Sequence, residues 1–369
     1  MYSQNEIDEA VSAGAISRDS AAALRSFIES QRSTSVPDEE HFRLITGFND
    51  VFVSVAAAIL LVAVGWIGQS MGERLGLTVG GDGPSVLLGL FVAASAWGLA
   101  LFFTARRRMA LPSILLLLAF VGGTLVAAAT AIVLAIGEAA FENNEAFIGV
   151  AGAASAAIAA VGAWLHWKRF RVPITVATGA AAVAGIAIGL LIAVLGERAE
   201  SLEKLILGFV LMLGAGTFLF AMWWDGSDRA RITRRSDVAF WLHLLAAPMI
   251  VHPVFALLGL NDGNATIGEG LVVILLYVAL GVTALAIDRR ALLVSALAYV
   301  LFALQAMFRD FGAVELNVAL TALVIGSALL LLSAFWHQAR QAIVAPLPDG
   351  LKMRLPILDR AAPIPQPAA

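Results

Sequence analysis

Between residues 49 and 337, apolar side chains run in long unbroken stretches separated by short polar clusters, with no residue-by-residue alternation. A helix rises about 1.5 Å per residue, so roughly 20 apolar residues cross a hydrocarbon core about 30 Å thick. Ten stretches reach that scale: 50–67, 85–104, 112–136, 146–166, 174–196, 205–224, 238–260, 269–287, 291–308 and 316–337. A membrane barrel would show segments of about ten residues with period-two alternation instead. Inside lipid, continuous apolar runs satisfy their backbone polar groups only as helices. The pattern predicts an all-α, polytopic transmembrane bundle of about ten helices.

The flanking segments are polar. Residues 1–32 read as a small cytosolic helical hairpin. Ser3 and Glu6 have capping-box spacing, Gly14 suits a helix terminus, and Ser17 can cap a second helix running to about Gln31. Ile7, Val11, Ile16, Leu24 and Ile28 give the pair one apolar face. With no central apolar run, this segment does not read as a signal peptide. Residues 33–48 form a linker and an interfacial stretch, and 49–337 the transmembrane domain. In the Pro-rich tail, 338–369, Trp336 to Val344 is expected to continue the last helix, with the six prolines beyond favouring extended or disordered chain.

Composition agrees with a chain whose solvent is mostly lipid: 60% hydrophobic residues, 14% charged, and a mean hydropathy of +0.87. Loop charges then orient it, because basic residues in short loops are retained on the cytoplasmic side. The even-numbered connections hold twelve Lys and Arg, among them Arg106 to Arg108, Lys168, Arg171, Arg231, Arg234, Arg289 and Arg290. The odd-numbered connections hold four, together with most of the loop acids, including Glu138, Glu142, Glu145, Glu197, Glu200 and Glu203. Both termini are therefore expected in the cytoplasm. Trp164, Trp167, Trp223, Trp224, Trp241 and Trp336 fall at the same face, where indole rings favour the headgroup region. The lipid bilayer is the one partner this composition implies. The hairpin is a possible docking site for a cytosolic protein, and its acidic character argues against nucleic acid.

Two stretches carry a resemblance. Ile7-Asp-Glu-Ala-Val-Ser-Ala-Gly-Ala-Ile-Ser17 with Ala21-Ala-Ala-Leu-Arg-Ser-Phe-Ile28 resembles the N-terminal segment of a bacterial polytopic membrane family catalogued as a domain of unknown function. Arg235-Ser-Asp-Val-Ala-Phe-Trp-Leu-His-Leu-Leu-Ala-Ala-Pro248 is similar to stretches of other bacterial membrane proteins. The resemblance implies bacterial origin and placement in the inner membrane, and brings no residue roles with it.

Chemistry has to be sought in polar groups at membrane depth, which are costly there. The seventh stretch alone combines two histidines with two prolines, His243, Pro248, His252 and Pro253. Interior prolines free backbone carbonyls, and broken helices line cavities in transporters. Nine residues at 100° each place the histidines on opposite faces, so they are no ready-made metal pair. Gln305 and Tyr299, with Tyr277, Thr283, Asn317, Thr321, Thr124 and Thr130, are further candidates for a polar path. Gly185 and Gly189, with Gly149 and Gly152, have the spacing of helix-packing surfaces.

Zero cysteines exclude disulfides, thiolate nucleophiles and iron–sulfur clusters. Phosphate loops, nucleophile elbows and zinc-protease motifs are missing, so no catalytic residue, metal or cofactor is expected. The reading that follows is transporter-like, for a small molecule or lipid, with ten helices divisible into two inverted halves of five. The alternative is a non-transporting scaffold or sensor that recruits a partner through residues 1–32.

Overall fold

In the computed structural model of the chain, residues 11–14, 16–23, 48–142, 144–229, 231, 233–259, 267–290, 292–293, 297, 301 and 317–358 are described. Among them the structure is helical, apart from one isolated antiparallel bridge between Thr78 and Ser85. Among the described residues seven helices are long and apolar enough to cross a membrane: α1 (Phe48–Arg74), α2 (Val86–Phe103), α3 (Ala110–Ile136), α4 (Glu145–Phe170), α5 (Ile174–Leu195), α6 (Glu203–Gly226) and α7 (Arg234–Leu257). The apolar α8 (Ile267–Ile287) follows. Then come α9 (Asn317–Ala334), α10 (Trp336–Val344) and the single turn α11 (Asp349–Lys352). If α9 and α10 count as one bent span, eight helices qualify. The ten-helix expectation is thus met by seven or eight, and most of the stretch 291–308 lies outside the described residues.

Helix ends follow local chemistry. Ser85 Oγ accepts from Leu88 N at 3.0 Å and Asn144 Oδ1 from Phe147 N at 3.2 Å, capping the orphan donors of α2 and α4. α3 and α5 stop at Gly137 and Gly196, both at positive φ. The connections after α2, α4, α6 and α8 each contain a charged residue in left-handed conformation instead: Arg108, Arg171, Arg231 and Asp288. Near the N-terminus, Gly14 has φ +70° and Ser17 Oγ accepts from Ser20 N at 3.0 Å. Most of the hairpin expected over 1–32 lies outside the described residues.

α1 and α2 bury mainly small residues and expose large ones, whereas α3 and α7 also bury Leu116, Leu117, Leu242 and Phe255. α1 turns Ser54, Ala57, Leu61, Gly65, Gly68 and Gly72 inward, while Phe52, Ile59, Val62 and Trp66 are exposed. α2 buries Gly89, Ala93, Ala96 and Ala100. This inside-out arrangement suits lipid, where leucine gains nothing by leaving the tails and association depends on close van der Waals approach. Two successive antiparallel pairs achieve it in the same way. Gly123 lies so close to α2 that an added Cβ would stand 2.8 Å from Gly89 O and 2.9 Å from Ala93 N. Gly189 stands likewise, 2.7 Å from both Gly149 O and Ala153 N. In each pair a Gly-x-x-x-Ala step on one helix meets another on its partner: Gly89 to Ala93 with Gly123 to Ala127, and Gly149 to Ala153 with Gly189 to Ala193. The α6–α7 pair has one glycine, Gly214, against Met249. The α2–α3 hairpin and the α4–α5 hairpin therefore close through the same small-residue contact in the same sense.

Three further expectations are corrected. α7 runs unbroken from Arg234 to Leu257 through both Pro248 and Pro253, so the prolines do not split it. α10 does not continue α9: the two meet at an angle of 73°. The tail as far as residue 358 is neither extended nor disordered, since α11 forms and Leu355 is buried with Trp336, Leu285 and Ile287.

Candidate functional site

The connections after α2, α4, α6 and α8 gather at one end of the bundle, and there a buried ionic network ties distant segments together. Asp225 lies one residue before the end of α6, where the helix dipole disfavours a carboxylate. Its environment compensates. Arg289 binds it through Nε, at 3.2 Å, and through Nη2, and also donates to Ser236 O at 3.0 Å. His243 Nε2 lies 3.1 Å from Asp225 Oδ2. His243 Nδ1 has no hydrogen-bond partner, so the tautomer that serves the carboxylate carries its proton on Nε2. Asp225, His243 and Arg289 are all essentially inaccessible.

A second cluster adjoins the first. The left-handed backbone at Arg231 turns its guanidinium inward, where it donates to Asp288 Oδ2 at 3.0 Å and to the carbonyls of Ile287 and Asp288 at 3.1 Å. These carbonyls belong to the end of α8, so Arg231 caps that helix as a cation at its negative pole. Trp336 Nε1 donates to Asp288 Oδ1 at 2.8 Å, and Arg290 lies over the indole at 4.7 Å. Trp336 is buried and bonded, which corrects its expected place in the headgroup belt. Arg340 approaches Asp288 at 3.8 Å and donates to Pro356 O at 2.8 Å and Ile357 O at 3.3 Å. Arg229 donates to Leu355 O and Lys352 O, both at 3.0 Å. Two arginines thus strap the tail beneath the bundle. Asp225 and Asp288 are each matched by arginine, so the cluster ties α6, α7, α8 and α10 together.

At the opposite end, the acidic connections frame a cavity of about 540 Å³ between α3 and α4. Ala129 and Val133 of α3, and Ile148, Ala151, Gly152 and Ser155 of α4, form its walls. Glu138, Phe141 and Glu142 stand at its rim, with Val79 from the α1–α2 connection. That connection is held over the cavity. Gln69 accepts from Ser85 N at 2.9 Å and donates to Gly83 O at 3.0 Å, while Gly80 N donates to Glu138 Oε1 at 2.7 Å. Ser155 spends its hydroxyl on Ala151 O.

The sequence-derived candidates are distributed as follows. His243 joins the ionic network, whereas His252 is exposed on α7, at neither site. Pro248 is exposed and Pro253 buried. Gln305 and Tyr299 lie outside the described residues. Gly149 and Gly189 form the α4–α5 contact, and an added Cβ on Gly185 would stand 3.3 Å from Ala156 Cβ. An added Cβ on Gly152 would meet no atom within 4 Å, so this residue lines the cavity and does not pack a helix pair. Thr124, Thr130 and Thr283 bond to their own helices. Among the described residues no cluster of His, Asp or Glu suits a metal ion.

Sequence reasoning passed over two groups. Arg231 and Arg289 count there only as topogenic charges, and Asp225 draws no notice, although a carboxylate ending an apolar helix is itself a sign of buried partners. His166 is fully buried against Phe170, Phe120 and Trp97, with Nδ1 3.3 Å from Thr175 Oγ1 and Nε2 unpartnered.

Apolar helices of this length, with many large apolar residues exposed along them, define a multi-pass α-helical membrane protein. No family model, curated protein or solved structure matches the chain.

Proposed function

We propose that this is a transporter-like protein of the bacterial inner membrane, with ten spans, both termini in the cytoplasm and a cytosolic helical hairpin at residues 1–32, and that it carries a small molecule or lipid. The cavity of about 540 Å³ between α3 and α4 is the observation that carries this reading. It falls in the size range of ligand sites, which is wide for a bundle otherwise packed through glycine and alanine. It lies at the end opposite the ionic network. An opening confined to one end of the bundle is what one state of an alternating-access protein presents. Ten spans and the orientation rest on the apolar run at 291–308 and on the twelve-to-four division of basic loop residues. Inner-membrane placement also draws on the N-terminal resemblance.

The test has two arms. The chain has no cysteine, so single cysteines placed at Arg108, Arg171, Glu142 and Glu197 report sidedness without background. An impermeant maleimide added to intact spheroplasts is expected to label positions 142 and 197 alone; the reverse pattern inverts the topology. Proteoliposomes are then screened for protein-dependent flux across a metabolite and lipid panel. Absence of any flux, with a co-purifying protein lost on deletion of residues 1–32, returns the scaffold reading.

A further inference from the structure

The lining of the α3–α4 cavity states what it can hold. Its walls are aliphatic: Ala129, Val133, Ala151 and the bare backbone of Gly152 offer no hydrogen bond to a polar solute. The one hydroxyl in the wall, on Ser155, is already committed to Ala151 O at 2.7 Å. Charge enters only at the rim, and with one sign. Glu138 and Glu142 line the mouth, and among the described residues no Lys or Arg lines any part of it. Phe141, between the two acids in sequence, lines the same opening and is an aromatic ring of the kind that attracts cations. Glu138 does not swing freely, since Gly80 N holds its Oε1 over the opening at 2.7 Å. The surrounding connections add Glu145, Glu197, Glu200 and Glu203 against Arg74, Arg198 and Lys204, so the balance at this end is acidic and favours cations over anions.

From this complementarity we infer that the cavity is a binding site for an amphiphilic organic cation, its apolar body against Val133, Ala151 and Gly152 and its charged head between Glu138 and Glu142. A neutral polar solute would lose its hydrogen bonds to water against these walls, and an anionic amphiphile would bring its charge against two carboxylates. This site rests on the transporter-like reading only for its role in movement. As a binding site it stands without it.

The probe is tetraphenylphosphonium, and its control is tetraphenylborate, which has nearly the same shape and the opposite charge. Purified full-length protein in phosphatidylcholine nanodiscs is expected to bind tetraphenylphosphonium saturably at one site and to show no saturable binding of tetraphenylborate above empty nanodiscs. Glu138→Gln and Glu142→Gln should each weaken binding about tenfold, as expected when a charge-assisted contact is lost. Gly152→Leu, whose added atoms enter open space, should abolish binding while the melting temperature stays that of the wild type.

Equal binding of the two ions, or unchanged affinity in the glutamine variants, overturns the assignment. So does a retained lipid chain that tetraphenylphosphonium fails to displace, or undiminished binding in a folded Gly152→Leu protein. Flux is measured separately in proteoliposomes. Binding without flux removes the transport reading and leaves the site; flux of another solute without tetraphenylphosphonium binding removes the site and leaves transport.

Discussion

Asp225 is the residue on which the ionic network turns, because it alone engages both His243 and Arg289. Removing one partner of a buried ion pair leaves the other charge stranded, which costs about 3–5 kcal/mol. Asp225→Asn keeps the shape and removes the charge, so Arg289 is left in a nearly waterless site with no counterion. The melting midpoint in detergent should fall by several degrees, and His243→Ala, which strands no charge, should lower it less. Equal midpoints for wild type and Asp225→Asn would mean that water already reaches the pair. Little of this was legible in the chain, because the contact joins residues 64 apart. His243 drew attention through the company of its prolines, yet what matters in the structure is an aspartate on the neighbouring helix. Topogenic arginines and network arginines also look identical in a loop, since the same rule about charge retention explains both.

At the scale of elements, the spans were readable from length alone, because lipid thickness fixes how much apolar chain a helix needs. Helix pairing was readable in part, through glycines at small-residue spacing, but which face of a helix meets a neighbour was not. Gly149 and Gly152 show the limit. They differ by three residues and look equivalent in sequence, yet Gly149 packs against Gly189 and Ala193 while Gly152 faces open space. Gly149→Ala drives a methyl group into the backbone of α5 and should separate the α4–α5 hairpin, at a cost of roughly 1–3 kcal/mol. Gly152→Ala should be neutral or slightly stabilising, given alanine's better helix propensity. Thermal melting of the two variants side by side checks this, and matching losses would show that the glycine contact is not a close one. The 73° turn into α10 left no trace in the sequence, since neither proline nor glycine marks Phe335.

For the whole molecule, the strap from α10 to residue 357 decides how the basic-loop end is closed. Leu355 contributes about 2 kcal/mol by burial, and Arg229 and Arg340 fasten the carbonyls around it. Leu355→Lys sets an unpaired ammonium beside Trp336 and Leu285 and close to the like charges of Arg229 and Arg340, so the strap should come away while the bundle stays folded. Arg340, buried in the wild type, should then become a trypsin site visible by mass spectrometry. Persistent protection of that bond would place the tail's anchorage elsewhere. The strap also imposes a sequence of events on biogenesis. The α2–α3 and α4–α5 hairpins close through neighbours a few dozen residues apart and can form as each pair leaves the translocon. Arg229 has no such option: its acceptor, the carbonyl of Leu355, is made 126 residues later. Until that stretch is synthesised, Arg229 waits at the membrane surface, and the basic-loop end of the bundle closes late.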